Sequence, residues 1–329
     1  MSKTVKKWLS ILIPLLLGIF FIVYAYNQFT EEQIKDIFGH FKSADYFYIF
    51  ISIVFGFIAS VARSYRWKYT LEHLGYNIPF KNQFLAVNVS YLMNMFIPRS
   101  GEISRALVLK NYENVPFDKS FGTIIAERVI DLLILFLFMG LIFFLQFDIV
   151  KTFILDYIPQ DKVAFIAITA LFLSSLFFVI YRYSKLKFII ALKQKLSGLT
   201  DGILSVIKMK NKWQFLFYTI LIWFSYVMMF YVAIFAFPET STLSFTAVLT
   251  TFVVGSIAIA FTNNGLGSYP FLVAEILLFY GISATVGSAF GWIVWTSQTI
   301  FTIVLGLVSL FLLPILNKVR HRPVHKESV

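Results

Sequence analysis

Polar and charged side chains gather beside apolar runs between residues 94 and 131 of this 329-residue chain. Pro98 cannot donate a backbone hydrogen bond and Gly101 tolerates unusual dihedral angles, so the chain is predicted to turn between them. Glu102 and Arg105, three residues apart, then share one face of the following helix. The candidate binding residues in this part of the chain are Asn94, Pro98, Arg99, Gly101, Glu102, Arg105, Glu127, Arg128 and Asp131.

The charges in this cluster suit two kinds of chemistry. Glu127 and Asp131 share a helix face, whereas Arg128 points about 100° away from it. An arginine facing a carboxylate across two helices satisfies both charges, and a further arginine can hold a phosphate with its planar guanidinium. Glu102 paired with Glu127 or Asp131 would instead support hydrolysis or proton coupling.

A simpler interpretation is that these residues stabilise the surface of a membrane protein. Arg99, Lys110 and Arg128 would then anchor helices at the interface, with the carboxylates as their solvated partners. Charges persist at the centre of a membrane helix mainly when they are paired or face water, because each costs roughly 2.5–3.5 kcal/mol there. The sequence contains no nucleophile–base arrangement, P-loop or HExxH motif, so enzymatic chemistry is only weakly indicated.

A second polar interruption, TNNGLGSYP, divides an apolar run at residues 262–270. Irregular backbone inside a membrane is tolerated only within protein or beside water. Glu275 follows inside an apolar stretch, where it is either a functional carboxylate or the partner of a cation from the first interruption. The candidate residues here are Asn263, Asn264, Gly265, Gly267 and Glu275.

The composition places both interruptions in a membrane protein. Hydrophobic residues make up 59% of the chain and charged residues 14%, with a mean hydropathy of +0.79. Soluble domains are nearer half apolar and a quarter charged. The net charge of +11 is spread over separate loops, so no nucleic-acid partner is expected. With no cysteine and four histidines, neither a metal centre nor a cofactor is expected.

The hydropathy pattern predicts an all-α polytopic fold with six to eight transmembrane helices. The second span is predicted to end at Arg63, Arg66 and Lys68, at the water boundary, and an amphipathic segment at 31–43 precedes it. Segments 84–110 and 247–280 are either re-entrant hairpins or full crossings. The six long spans are predicted at 8–29, 45–62, 129–147, 163–181, 213–237 and 286–316.

The order of these elements predicts one membrane domain, residues 1–329, built as an inverted repeat. Half-repeats at 1–150 and 151–317 would each contain two spans, a hairpin and a further span, with a basic tail at 318–329. Interrupted helices that meet near the midplane are typical of transporters.

The charges of the loops predict the orientation. Cytoplasmic segments would hold 24 of the 28 lysine and arginine residues, which places both termini in the cytoplasm of a cell with this protein in its inner or plasma membrane. Segment 182–212 carries eight of these cations and is either a topology signal or an amphipathic helix on anionic head groups.

The chain resembles the flippase-like membrane family that includes the transmembrane region of lysylphosphatidylglycerol synthases. The resemblance covers most of the chain and rests on Arg63-x-x-Arg66-Trp67, on NMFIPRSGEISRALVL at 94–109, on ERVID at 127–131 and on the glycine-rich break before Glu275. It implies a domain that translocates lipids. Because no aminoacyl-transferase domain follows, we do not expect synthesis of lysyl-lipid. Glu275 lies eight residues after Gly267, farther than the acid of many family members.

The leading hypothesis is therefore a transporter or flippase for a phosphate-bearing lipid, either an anionic phospholipid or a polyprenyl-phosphate lipid. One alternative is a membrane glycosyl- or phospho-transferase acting on a lipid carrier, with Glu102 or Asp131 as base. Another is an accessory subunit whose basic segment 182–212 binds a soluble partner. The sequence is also compatible with a homo-oligomer.

Overall fold

The computed structural model describes residues 3–147 and 208–317, together with residues 169, 175 and 206. These residues form ten α-helices and two 3₁₀ turns, Ile234–Ala236 and Thr240–Thr242, so the predicted all-α membrane fold is confirmed. The helices are α1 (Lys3–Gln28), α2 (Glu31–Ser43), α3 (Tyr46–His73), α4 (Phe80–Phe96), α5 (Ser100–Glu113), α6 (Phe117–Leu145), α7 (Lys212–Ala233), α8 (Phe245–Phe261), α9 (Ser268–Phe279) and α10 (Ala284–Leu316).

Four helical segments of the described chain are long and apolar enough to cross a membrane: Tyr46–His73, Phe117–Leu145, Lys212–Ala236 and Ala284–Leu316. Shorter apolar helices lie at Leu15–Gln28, Phe245–Phe261 and Ser268–Phe279. The predicted span at 163–181, most of the basic segment 182–212 and the tail 318–329 lie outside the described residues. The inverted repeat and the orientation of the termini stay predictions.

The second span is longer than the sequence indicated. We expected it to end at residue 62, with Arg63 and Arg66 at the water boundary, but α3 continues to His73. Only 4% of Arg63 and none of Arg66 is exposed. Arg63 Nη2 donates a hydrogen bond to the Tyr226 hydroxyl over 3.2 Å, and the Arg66 guanidinium lies 5.5 Å from the centre of the Phe215 ring. The expectation that both arginines face water is wrong, because α7 packs on this part of α3 and covers them.

Side-chain caps fix where several helices begin. Thr30 and Gln33 form a reciprocal capping box at the start of α2, and Asp45 accepts a hydrogen bond from the Phe47 amide at the start of α3. Ser244 and Ser283 cap α8 and α10 in the same way. These caps satisfy amide groups that have no partner inside their helices.

The chain divides into two compact units. The first contains Met1–Ile124 and Lys210–Val329, and the second contains Ile125–Met209. In the first unit α4 packs against α5, α8 packs against α9, and α10 contacts both α4 and α9. Each interrupted segment of the sequence is therefore a pair of helices that fold back on one another.

An amide cluster ties the base of the α4–α5 pair to the end of α10. Asn82, which is 1% exposed, and Asn317 exchange two side-chain hydrogen bonds of 2.8 and 2.7 Å. The Asn82 amide also donates to the Glu113 carboxylate at the end of α5. Lys81 Nζ donates to the Leu316 carbonyl over 3.1 Å, which satisfies one of the last carbonyls of α10.

Asn82→Ala is expected to lower the free energy of unfolding by about 1–3 kcal/mol, because it leaves buried polar groups without their hydrogen bonds. Unfolding of the detergent-solubilised protein followed by circular dichroism measures this loss. Lys81→Ala is the matched control: it removes an exposed ammonium beside the same helix end and should cost less than about 1 kcal/mol. If both variants lose the same free energy of unfolding, the result would contradict a stabilising role of the Asn82 hydrogen bonds in the amide cluster.

Candidate functional site

The first interruption separates α4 from α5 at residues 97–99, where the sequence predicts a turn. Arg99 has a left-handed backbone conformation, with φ of 63°, and its side chain is exposed. The Gly101 amide donates to Asn94 Oδ1 over 2.7 Å, and the Ser100 hydroxyl donates to the Met93 carbonyl over 2.8 Å. Hydrogen bonds from the start of α5 therefore satisfy polar groups near the end of α4, and Pro98 lies between them.

Gly101 lets the two arms of this hairpin touch. A Cβ atom at this position would lie 2.2 Å from the Ser90 carbonyl oxygen and 2.6 Å from the Asn94 side chain. Real Cβ atoms do not approach backbone oxygen so closely, so only glycine fits here.

The second interruption, between α8 and α9, is a compact turn built on left-handed residues. Asn264, Gly265 and Gly267 have φ values of 54°, 75° and 68°. The Thr262 and Ser268 hydroxyls share a hydrogen bond of 2.7 Å across the turn. Trp295 of α10 donates its indole N–H to the Asn264 carbonyl over 2.9 Å. The polar backbone of the turn is thus partly satisfied by a neighbouring helix, as its place between apolar segments requires.

The two interruptions contact each other. Asn263 Nδ2, in the second, donates a hydrogen bond of 3.1 Å to the Met95 carbonyl, in the last turn of α4. Carbonyls in the last turn of a helix have no partner within the helix, and here the other hairpin supplies one. The structure therefore brings Asn94 and Gly101 to the same junction as Asn263.

Arg105 lies on α5, one turn after Glu102, and is 2% exposed. Its guanidinium carbon is 3.7 Å from the centre of the Trp67 ring, a cation–π contact. The Trp67 indole in turn donates to Thr123 Oγ1 over 2.9 Å. Glu102 is half-buried. The predicted shared face of Glu102 and Arg105 thus lies on a helix whose arginine is anchored by an aromatic ring.

Glu127, Arg128 and Asp131 follow on α6, in the part of the chain assigned to the second unit. Glu127 is 1% exposed, whereas Arg128 and Asp131 are half-buried. Burial of a carboxylate in a helix this apolar marks Glu127 as a candidate for function, as the sequence suggested.

Glu275 lines a cavity to which none of the described residues of the first interruption contributes. Its exposed side chain lines a small cavity of about 40 Å³, together with Gln28 of α1 and with Ser288 and Trp292 of α10. Gly267 is the one residue of the second interruption that also lines this cavity. For the alternative, in which Glu275 pairs with a cation of the first hairpin, no such cation is found among the described residues that line the cavity.

Sequence reasoning from the residues alone missed the buried polar group around α3. The sequence predicts Arg63, Arg66 and Lys68 at a water boundary. Trp67 enters only through the family resemblance, and Tyr226 is not among the candidate residues. The signal was available in the spacing, because residues three or four apart share a helix face and would all point toward one neighbour. Tyr226 joins this group to α4, since its hydroxyl lies 3.5 Å from that of Tyr91.

The chemistry offered by these residues is that of binding. Amide, hydroxyl and guanidinium groups around the two interruptions can donate hydrogen bonds to an anionic or polar group. In the described ranges, no three His, Asp or Glu side chains are placed to hold a metal ion together.

Comparison with known proteins identifies the family. The family described as the lysylphosphatidylglycerol synthase TM region matches residues 11–306, which include both interruptions. The UPF0104 membrane protein MJ1595 of Methanocaldococcus jannaschii is 32% identical over 127 residues. That match covers 38% of this chain and 38% of the length of the curated relative. No solved structure matches the chain. The chain therefore belongs to the family of the lysylphosphatidylglycerol synthase transmembrane region and is a multi-pass membrane protein.

Proposed function

We propose that this protein is a flippase that moves the head group of a phosphate-bearing lipid, an anionic phospholipid or a polyprenyl-phosphate lipid, across the cell membrane. The observation that carries the proposal is the hydrogen bond from Asn263 to the Met95 carbonyl, which joins two interrupted helix pairs. Interrupted helices that meet inside a membrane provide polar backbone for a substrate where continuous helices provide none.

The ends of the short helices favour an anionic head group. Both α5 and α9 begin directly after an interruption, and the partial positive charge of a helix N-terminus attracts phosphate, although the Gly101, Ser268 and Tyr269 amides already donate within the turns. Arg99, exposed at the first turn, would add a full positive charge there. The acyl chains would stay in the surrounding lipid while the head group follows this polar path.

The remaining charged residues would balance and position the arginines. Arg105 is anchored on Trp67 and would hold α5 in place, with Glu102 on the same helix as a counter-charge. Glu127, Arg128 and Asp131, in the second unit, stay candidate binding residues. Both termini would face the cytoplasm, and without an ATP-binding motif the movement would be passive or driven by a gradient.

Reconstitution in vesicles with fluorescent phospholipids tests the proposal, because an added reductant bleaches only the lipids of the outer leaflet. We expect the wild-type protein to accelerate exchange. Asn263→Ala should slow it by up to about tenfold, the equivalent of one hydrogen bond that joins the hairpins. Asn211→Ala, which removes a 3.3 Å bond to Glu72 away from the interruptions, is the control and should leave the rate unchanged. Wild-type protein that exchanges no lipid from a broad panel would overturn the proposal.

A further inference from the structure

Residues of α10 line two neighbouring cavities. Six of the α10 residues that line them recur every four positions, so the set winds around the helix by about 40° per step. The six residues are Ala284, Ser288, Trp292, Thr296, Ile300 and Val304. The first three line the small cavity of about 40 Å³ that contains Glu275, the last four line a cavity of about 620 Å³, and Trp292 belongs to both. At 1.5 Å per residue these six residues extend over about 30 Å of α10, which equals the thickness of the hydrocarbon core of a bilayer.

The larger cavity is suited to a hydrocarbon chain. Ile49, Phe50 and Ile53 of α3 form the wall opposite α10, and Phe41 of α2 also lines it. Two hydroxyls, of Thr296 and Ser297, interrupt the apolar lining of α10, and that of Ser297 already donates to the Val294 carbonyl over 2.9 Å. The volume lies within the range of small-molecule sites.

The smaller cavity is suited to a group that donates hydrogen bonds. Among the described residues that line it, Glu275 is the charged one, and Gln28 and Ser288 add an amide and a hydroxyl. An ionised carboxylate only accepts hydrogen bonds, so it favours an ammonium or hydroxyl group and repels a phosphate. A volume of about 40 Å³ holds a few water molecules, so the group must be small.

Trp292 lines both cavities, and the smaller one adjoins the proposed translocation path at Gly267. This residue belongs to the second interruption and lines the smaller cavity. A lipid whose phosphate lies at the interruptions could therefore extend a terminal group toward Glu275 and a chain past Trp292.

We propose that the two cavities form one lipid-binding site, in which the hydrocarbon chain lies between α3 and α10 and a small hydrogen-bond-donating end of the head group contacts Glu275. Trp292 lines both parts, and its side chain combines an apolar ring with an N–H donor, as amphipathic aromatic rings at membrane interfaces do. The inference rests on the proposed function in taking a lipid as the ligand, and it adds which end of the head group is recognised.

Binding is measured by fluorescence quenching in nanodiscs that contain lipids brominated on the acyl chain. The signal of Trp292 is the difference between the wild-type protein and Trp292→Phe. Phosphatidylethanolamine and phosphatidylcholine carry the same net charge, but only the former donates hydrogen bonds from its head group. We expect brominated phosphatidylethanolamine to quench Trp292 at a mole fraction about tenfold lower than brominated phosphatidylcholine, as one hydrogen bond to a charged group implies.

Variants of Glu275 distinguish the two donors. If the donor is an ammonium group, Glu275→Gln abolishes the preference for phosphatidylethanolamine. If the donor is a hydroxyl group, brominated phosphatidylglycerol quenches best. The preference of the protein for this lipid then survives in Glu275→Gln, which keeps a hydrogen-bond acceptor, but not in Glu275→Leu, which has none. Glu239→Gln, at an exposed carboxylate outside both cavities, is the control and should behave as wild type.

A larger side chain placed in the larger cavity tests the apolar part of the site. Ile300→Phe should reduce quenching of Trp292 severalfold, whereas Val308→Phe, at an exposed position of the same helix outside the cavity, should not. Equal quenching by all three lipids, or quenching untouched by Ile300→Phe, would overturn the inference. If the protein shows selective quenching but exchanges no lipid, the site stands and the flippase function is rejected. If the protein exchanges lipid but shows no selective quenching, only the site is rejected.

Discussion

Gly101→Ala is expected to lower the free energy of unfolding by about 3 kcal/mol and to reduce the yield of folded protein sharply. The new methyl group would lie 2.2 Å from the Ser90 carbonyl oxygen and 2.6 Å from the Asn94 side chain. Overpacking a tight contact usually costs about 1–3 kcal/mol, and this contact is with backbone of the facing arm. Asn94 would also lose its 2.7 Å hydrogen bond from the Gly101 amide. Denaturant unfolding in detergent micelles measures the loss.

Gly122→Ala is the matched control for this substitution. Gly122 lies in α6, and a Cβ atom there would meet nothing within 4 Å. Alanine is favoured over glycine inside a helix by up to about 1 kcal/mol, so this variant should be as stable as wild type or slightly more stable. A Gly101→Ala protein that unfolds like Gly122→Ala would contradict the close packing of α4 on α5.

Gly267→Ala is expected to cost about 3 kcal/mol for two separate reasons. The residue has a φ of 68° and a ψ of −40°, a strained backbone conformation for a residue with a Cβ atom, which costs roughly 1–3 kcal/mol. The Cβ atom would also lie 2.3 Å from the Gly18 carbonyl oxygen and 2.6 Å from the Ile22 side chain, so α1 would have to move. Thermal unfolding of the purified protein reports the sum of both costs.

Gly281→Ala separates the two costs. Its φ is 84°, but nothing lies within 4 Å of a Cβ atom at this position, so alanine pays only for the backbone conformation. The additional loss in Gly267→Ala then measures the contact with α1. If the two variants lose the same stability, α1 does not pack against the second interruption as described.

The two interruptions could be predicted from the sequence because their causes are local. Proline, glycine and asparagine punctuate apolar runs where the backbone leaves the helix. The first apolar piece was expected to end at residue 97 and α4 ends at Phe96, while the second was expected to end at residue 261, where α8 ends. The left-handed conformations of Asn264 and Gly265 follow from the same residue types.

Burial could not be predicted in the same way, because it depends on distant segments. Arg63 and Arg66 resemble the basic end of a span until α7, about 150 positions later, covers them with Phe215 and Tyr226. Glu275 looks buried from its apolar neighbours, yet its side chain is exposed beside a cavity that α1 and α10 complete. The sequence of α10 alone does not reveal the two cavities, because their other walls come from neighbouring helices.

The packing of Gly18 against Gly267 also constrains how the protein is made. Synthesis proceeds from the N-terminus, so α1 leaves the ribosome about 250 residues before the turn against which its backbone lies. The contact between them can therefore form only after the second interruption has been synthesised. Until then α1 lacks the backbone against which Gly18 packs.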